Sequence, residues 1–418
     1  MGGIPLRIYC FGGFRIETEN KRAINFCTDK TRALLVYLAV EAGRPFRRSH
    51  LAGLLWSEQS EEQALHNLRQ TLSLLRKAWD DQKNDFPLLI TDRDTVQINP
   101  AVDVWVDVNA FQVALGEAYR YFQNYRDLGK INITSLMRAV SLFTNPFLDR
   151  FDLNNSPLFD EWVLTVREKT NHEAAQALNL VCEYYERRGE YSLAVRSARR
   201  IVELMPWDES AHALVMQLLA IDQNWSASQN QFIRLREYLR KNLDVTPDPS
   251  IVALYQQIRS AALNNRPFPL RYPVSGHNLP VTNSEFIGRN REIDAITTLL
   301  NGPETRLVSV IGLGGIGKTR LAVETGKIHV GIYKNGVFFI PLLNVLSYEA
   351  LQSAIAKGIG LSFSDNSPPQ TQILDYMREK QALLIFDNFE QLLNHSQNLE
   401  LLINILQAAP EVKILITS

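Results

Sequence analysis

The octapeptide Gly312-Leu313-Gly314-Gly315-Ile316-Gly317-Lys318-Thr319 constrains this chain more than any other stretch. It fits G-x-x-x-x-G-K-[ST]. In that pattern glycines let backbone N–H groups turn onto a triphosphate, the lysine reaches the β- and γ-phosphates, and the hydroxyl holds Mg2+. Eight residues can match by chance, so the flanks decide. Arg306 to Ile311 is an apolar, β-branched strand, and Lys318 to Glu324 is a helix former whose N-terminal dipole would face the phosphates. Strand, glycine loop and helix in this order predict a parallel α/β sheet around the motif.

A second apolar strand, Ala382 to Phe386, ends in Asp387. A carboxylate at the C-terminal end of a parallel strand lies in the ligand crevice and can hold Mg2+ through water. Alone, the pattern reads equally as a buried strand ending in a helix-capping Asp. Together the two motifs assign ATP or ADP with Mg2+ to Gly312, Gly314, Gly315, Ile316, Gly317, Lys318, Thr319 and Arg320. Thr319 and Asp387 are the metal candidates, and Lys318 and Asp387 the groups that would act in any hydrolysis.

A length of 418 residues suits roughly two to four domains. A net charge of -1 makes nucleic-acid or membrane affinity a local matter, because the whole chain has no sign to steer with. There is no run of about 18 apolar residues to span a bilayer, and Met1 to Ile8 lacks a signal-peptide layout. Cys10, Cys27 and Cys182 are odd in number and widely spaced, which fits a reducing cytoplasm and no metal cluster. The expectation is a cytoplasmic, multidomain protein without a membrane partner.

Three rhythms follow one another. Residues 1–105 mix strands and helices: a hairpin at Leu6–Phe11 and Phe14–Glu17, a helix at Asp29–Glu41, and a short helix from His50 to Trp56 capped by Ser49. A long helix from Glu61 to Trp79 and a hairpin at Leu88–Thr91 and Thr95–Ile98 complete the order of a winged helix-turn-helix (α+β). Residues 106–263 are all-α. There Gly189-Glu-Tyr-Ser-Leu-Ala194 is echoed by Gln223-Asn-Trp-Ser-Ala-Ser228, with Tyr191 and Trp225 separated by 34 residues. That is the period of tetratricopeptide repeats, although an irregular helical bundle fits two degenerate copies too. Pro267, Pro269, Pro273 and Pro280 mark residues 264–284 as an extended linker. Residues 285–418 alternate strands and helices, the α/β pattern of a P-loop NTPase.

The Glu61–Trp79 helix carries the case for DNA. Leu65, Leu68, Leu72, Leu75 and Trp79 form one apolar stripe. The opposite face presents His66, Gln70, Ser73 and Lys77, with Asn67 at one margin and Arg69 and Arg76 on the flank: amides and hydroxyls for base edges, cations for phosphates or guanine. Arg47, Arg48 and Arg93, at the second helix and the wing tip, are phosphate candidates. Lys21 to Arg48 holds seven cations against two acids, yet residues 1–100 hold 14 against 12. So small an excess favours dimers or tandem sites over a lone monomer on DNA. A solvated amphipathic helix in a protein-binding domain is the competing reading.

The runs Leu6 to Phe14, Thr31 to Leu38, Leu54-Leu-Trp56 and Asn67 to Arg76, followed by Met205-Pro-Trp-Asp-Glu209, Leu235-Arg-Glu-Tyr-Leu239 and Pro247-Asp-Pro249, resemble the antibiotic regulatory protein (SARP) family of bacterial activators. That resemblance covers about residues 4–260. It implies an OmpR-type winged helix joined to a TPR-like bacterial transcriptional activation domain. It also implies double-stranded promoter DNA with direct repeats, RNA polymerase contacts and a homo-oligomer on DNA. The remainder is similar to the signal-transduction ATPases with numerous domains (STAND, NB-ARC-like). Phe286-Ile-Gly-Arg-Asn-Arg-Glu292 looks like their lead-in, which implies Phe286, Ile287, Gly288 and Arg289 near the adenine. Leu384 to Glu390 looks like their Walker B version, and Ile414 to Ser418 like their sensor strand. Where that branch usually has an acid after the Walker B aspartate, this chain has Asn388, leaving Glu390 as the substitute only if the backbone turns. Slow hydrolysis, as in a switch, is therefore expected. The resemblance further implies that the NTPase is cut at Ser418, before an arginine, a strand and helical domains.

The resulting expectation is a nucleotide-regulated transcriptional activator. Two readings compete with it: a nucleotide-switched interaction scaffold whose winged helix does not bind DNA, and a true ATPase.

Overall fold

The computed structural model describes residues 6–18, 28–79, 86–120, 131–271, 276–281, 286–364, 367–393 and 396–418. Lys21, Arg22 and Cys27, and the expected boundary at 284–285, lie outside them. The chain groups into two compact units: residues 1–116 with 137–177, and residues 117–136 with 178–418.

In the first unit, β1 (Leu6–Tyr9) and β2 (Arg15–Thr18) form the expected hairpin. A strand that the sequence reading missed, β6 (Val104–Val106), pairs parallel to β1 on its other side. Helix α1 (Asp29–Val40) starts where the Thr28 hydroxyl accepts the Thr31 amide, the usual relief for an orphan N–H. Strand β3 (Phe46–Arg47) then leads directly into α2 (Arg48–Leu55). Ser49 is therefore not the cap of α2: the capping position is Arg47, without a side-chain cap, because β3 pairing with the wing sets where the helix begins. Helix α3 (Glu61–Trp79) follows, then the wing strands β4 (Leu89–Thr91) and β5 (Thr95–Ile98), in sheet order β3-β5-β4. Leu34, Leu35, Leu38, Leu51, Leu55, Leu68, Leu75 and Val96 are buried in its core.

Asp107 opens α4 (Asp107–Ala118) and is buried. Its carboxylate accepts the amides of Cys10 at 2.8 Å and Phe11 at 2.9 Å, tying the hairpin end to the helix start. Burial nonetheless raises the Asp107 pKa above the ordinary carboxylate value. Phe11, Phe111, Phe143, Phe147 and Phe159 make an aromatic core beside it, with ring centroids 4.8 Å apart for Phe11 and Phe143. The last two phenylalanines belong to the segment that contains α5 (Ile133–Leu142) and the start of α6 (Pro157–Arg187).

The second unit holds the end of α6, then α7 (Tyr191–Leu204), α8 (Glu209–Ile221), α9 (Trp225–Asn242) and α10 (Pro249–Leu263). The 34-residue recurrence has a structural counterpart. The Cys182 thiol donates to the Ala194 carbonyl at 3.3 Å, and 34 residues later the Ser228 hydroxyl donates to the Met216 carbonyl at 2.7 Å. Ala194 and Ser228 are fully buried, so a small residue permits the same close helix approach in both copies.

The α/β part runs α11 (Asn290–Asn301), β7 (Leu307–Val310), α12 (Lys318–His329), β8 (Val337–Pro341), α13 (Tyr348–Ile359), α14 (Pro369–Met377), β9 (Leu383–Asp387), α15 (Ser396–Ala408) and β10 (Lys413–Thr417). Its sheet is parallel, in order β7-β10-β9-β8. Every residue of β9 is buried, as expected of a central strand covered on both faces. The proline-rich stretch expected as an extended linker departs from that description at its end. The Gly276 carbonyl accepts the Val337 amide at 3.1 Å, and the Asn278 side chain pairs with both the amide and the carbonyl of Phe339. The chain there lies along the edge of β8, because an edge strand offers unpaired backbone groups.

Candidate functional site

Two sites emerge, one in each unit. On α3 the charged and polar face is exposed: His66, Arg69, Gln70, Ser73, Arg76 and Lys77 face solvent, and Asn67 is half-buried. Leu68, Leu72, Leu75 and Trp79 are buried beneath, whereas Leu65 sits at the margin; Ala64 and Thr71 complete the packed stripe. Some of these side chains already have partners. Gln70 and His66 pair at 2.9 Å, Asn67 donates to Gln59 at 2.6 Å, and Arg76 donates to the Thr91 hydroxyl on the wing.

Four of the predicted cations converge. Arg47, Arg48, Arg69 and Arg93 line a single open cleft of about 640 Å³ between α2, α3 and the wing. Arg48 is fixed by donating through Nε and Nη2 to the Asp92 carbonyl at 3.2 and 3.0 Å. The wing tip is an Asp-capped turn: amide hydrogen bonds from Thr95 and Asp94 hold the Asp92 carboxyl below the usual carboxylate range. Asp92 and Asp94 line the same cleft, so four cations face two carboxylates there, beside the exposed polar face of α3.

At the second site, β7 delivers the chain to Gly312, whose amide is held by the Ser418 carbonyl at 3.2 Å. Gly317 caps α12 with φ +91, a left-handed conformation that glycine tolerates and that turns the following amides toward the helix N-terminus. The Lys318 ammonium donates to the Gly312 and Leu313 carbonyls at 2.7 and 3.1 Å, so its charge lies over the loop. The Thr319 hydroxyl donates to Asp387 at 2.8 Å, joining the helix start to the end of β9.

A cavity of about 390 Å³ is lined by Gly314, Gly315, Gly317, Lys318, Thr319, Arg320, Asn388 and Glu390. Asn388 adopts φ +64 and is followed by a short 3-10 turn, Phe389–Leu392, so the backbone does turn and brings Glu390 to the same cavity. Ile316 is half exposed on the loop. Of the lead-in, Phe286 lies with its ring 5.9 Å from the Arg320 guanidinium, and Arg289 caps α11 in the left-handed region. Gly288 also has positive φ, and Ile287 is exposed. A hydroxyl and a carboxylate are hard oxygen donors of the kind Mg2+ prefers, so Thr319 and Asp387 fit the ion, and the backbone amides with Lys318 fit a polyphosphate.

Three lining residues were missed by sequence reasoning, Pro280, Val323 and Thr417. Thr417 donates to Asp387 at 2.6 Å. Its place in the last strand was visible; its proximity to Asp387 was not, because that depends on β10 pairing beside β9.

Residues 106–259 match the bacterial transcriptional activator domain family. The matched segment follows the helices and strands of residues 28–98, and several of the proteins that the chain resembles are named as regulators. It is 24% identical over 323 residues to the regulatory protein AfsR of Streptomyces griseus, covering 74% of this chain and 31% of that protein. It is 29% identical over 115 residues to a putative HTH-type transcriptional regulator of Mycobacterium tuberculosis, covering 28% of this chain and 13% of the relative. The chain thus spans about a third of the length of AfsR. Among solved structures, Mycobacterium tuberculosis EmbR in complex with a low affinity phosphopeptide aligns at 17% identity and a TM-score of 0.46, over 64% of this chain and 67% of that one. Among the described residues no helix is long and apolar enough to cross a membrane, and no group of three or more His, Cys, Asp or Glu is placed to hold a metal.

Proposed function

We propose that this chain is a DNA-binding transcriptional activator whose phosphate-binding loop biases its activity through ATP or ADP with Mg2+. The observation that carries the reading is the four-arginine cleft beside the polar face of α3, in a chain whose next segment matches the activator domain. In this reading α3 enters the major groove with Gln70, Ser73, His66 and Asn67 on base edges, while Arg47, Arg48, Arg69, Arg93 and Lys77 neutralise phosphates. The activator domain contacts RNA polymerase or a second copy of the chain on repeated DNA sites.

At the loop, Lys318 and the amides after Gly317 would hold the phosphates. Thr319 and Asp387 would hold Mg2+, which would supply neutralisation of phosphate charge. Asn388 has no basic oxygen to take a proton from water, and Glu390 is exposed and two residues on, so turnover is slow and the bound nucleotide acts as a state rather than as fuel. A switch of this kind needs nucleotide affinities that differ between two assemblies.

The test is selection of bound sequences from random double-stranded DNA by the whole chain, followed by anisotropy titrations of the recovered sites at several salt concentrations. Binding that falls steeply with salt and favours repeated sites is expected. Absence of any enriched sequence and of salt-dependent binding would replace the activator reading with that of a nucleotide-switched scaffold. Rapid multiple-turnover ATP hydrolysis would overturn the switch in favour of an ATPase.

A further inference from the structure

Helix α12 presents Lys318 and Thr319 at its N-terminal end, and its C-terminal end is gripped by the end of α6. The Arg188 guanidinium, just past α6, donates through Nη1 to the Lys327 carbonyl at 2.6 Å and to the Val330 carbonyl at 3.1 Å. The Tyr184 hydroxyl donates to the Ile328 carbonyl at 3.0 Å. The Lys327 and Ile328 carbonyls belong to the last turn of α12 and Val330 is its C-cap; the Lys327 carbonyl also accepts the Val330 amide at 3.4 Å, and a cation at this end complements the helix dipole.

The approach is close. Gly331 has φ +91, and a Cβ there would stand 2.8 Å from both Arg188 Cγ and the Tyr184 carbonyl oxygen, so no larger residue fits without separating the segments. Arg188 is itself held by Glu190 at 2.9 Å and lies over the Tyr184 ring at 5.2 Å. Along α12, Glu324 takes Arg320 at 3.0 Å and Lys327 at 3.0 Å, linking a cavity-lining side chain to the gripped end.

We propose that Arg188 and Tyr184 form a latch that couples the phosphate site to the helical repeats through the body of α12. The idea rests on the nucleotide reading of the loop and adds its route of regulation. A helix of twelve residues moves as a rod, so a ligand that repositions its first turn shifts the carbonyls of its last turn against Arg188. By linkage, the factor by which nucleotide changes the latch equals the factor by which loss of the latch changes nucleotide affinity.

The experiment titrates a fluorescent ADP or ATP analogue with Mg2+ into the whole chain and into its Arg188→Ala variant, with hydrogen exchange followed at residues 327–333. A change in affinity of about fivefold or more in a variant that remains folded, with nucleotide-dependent exchange at 327–333 in the parent and not in the variant, is expected. Should Arg188→Ala fail to fold, Tyr184→Phe keeps the ring and removes only the hydroxyl donor, and the same two readouts decide. Parental affinity and parental exchange response in a folded variant overturn the latch while leaving the nucleotide reading intact. A parent chain that binds neither analogue overturns the nucleotide reading, and the latch with it.

Discussion

Thr417 donates its hydroxyl hydrogen to Asp387 at 2.6 Å while accepting the Asn388 amide at 3.0 Å. One hydroxyl on β10 thereby sets the orientation of the candidate metal carboxylate and the turn that carries Glu390. Thr417→Val keeps the shape and removes both bonds. A hydrogen bond to a charged group contributes roughly 1.5–3 kcal/mol, so the affinity for Mg2+-nucleotide should fall about tenfold. Calorimetric titration that finds affinity unchanged would show that Thr417 does not orient Asp387.

Arg69 and Arg93 come from α3 and from the wing tip and line one cleft. If both meet phosphates, Arg69→Ala and Arg93→Ala should each lower the slope of log affinity against log salt by about 1, alike on all DNA sequences. Gln70→Ala should instead reduce discrimination between sites and leave the slope alone. An unchanged slope in both arginine variants removes them from the interface.

Glu186 is buried, with its carboxylate facing Arg271 at 3.3 Å. Burial is the larger influence and raises its pKa to about 7, against the lowering effect of Arg271. For an acid whose folded pKa is raised, the native state binds more protons than the unfolded chain between the two values. Its contribution to stability is therefore complete below the unfolded value of about 4.3 and is lost as pH rises through about 7. Urea unfolding should show a loss on the order of 2 kcal/mol between pH 5 and pH 8 that Glu186→Gln abolishes. A parallel pH profile in the variant would assign the slope to other groups.

Asp107 satisfies the Cys10 and Phe11 amides inside the first unit. Asp107→Ala removes the acceptor of the Cys10 and Phe11 amides, and each buried donor left unpaired costs roughly 1–3 kcal/mol. Denaturant unfolding should show a loss of about 3 kcal/mol, with the α3 surface unchanged. A loss below about 0.5 kcal/mol would mean that water replaces the carboxylate.

Much of the local structure was legible because it follows from short-range rules. The Glu61–Trp79 helix matches α3 at both ends, and its polar face is the exposed one. The wing strands and the strand–loop–helix of Gly312 to Thr319 are likewise local, set by turn residues and by glycine. Strands β3 and β6 were missed because two or three residues carry no period; they exist through pairing with β5 and β1. The Ser49 cap failed for the same reason, since β3 decides where α2 starts.

By itself the sequence determined the glycine loop, the carboxylate at the end of an apolar strand, the 34-residue rhythm and the cationic helix face. All of these depend on residue type and spacing along one segment. Only the tertiary structure decided that Arg47, Arg48, Arg69 and Arg93 share a cleft, that Thr417 reaches Asp387, and that Arg188 holds the far end of α12. Those relationships join residues up to 142 positions apart. Their distances come from sheet order and helix packing, which arise when separate apolar faces bury one another and which no single segment encodes.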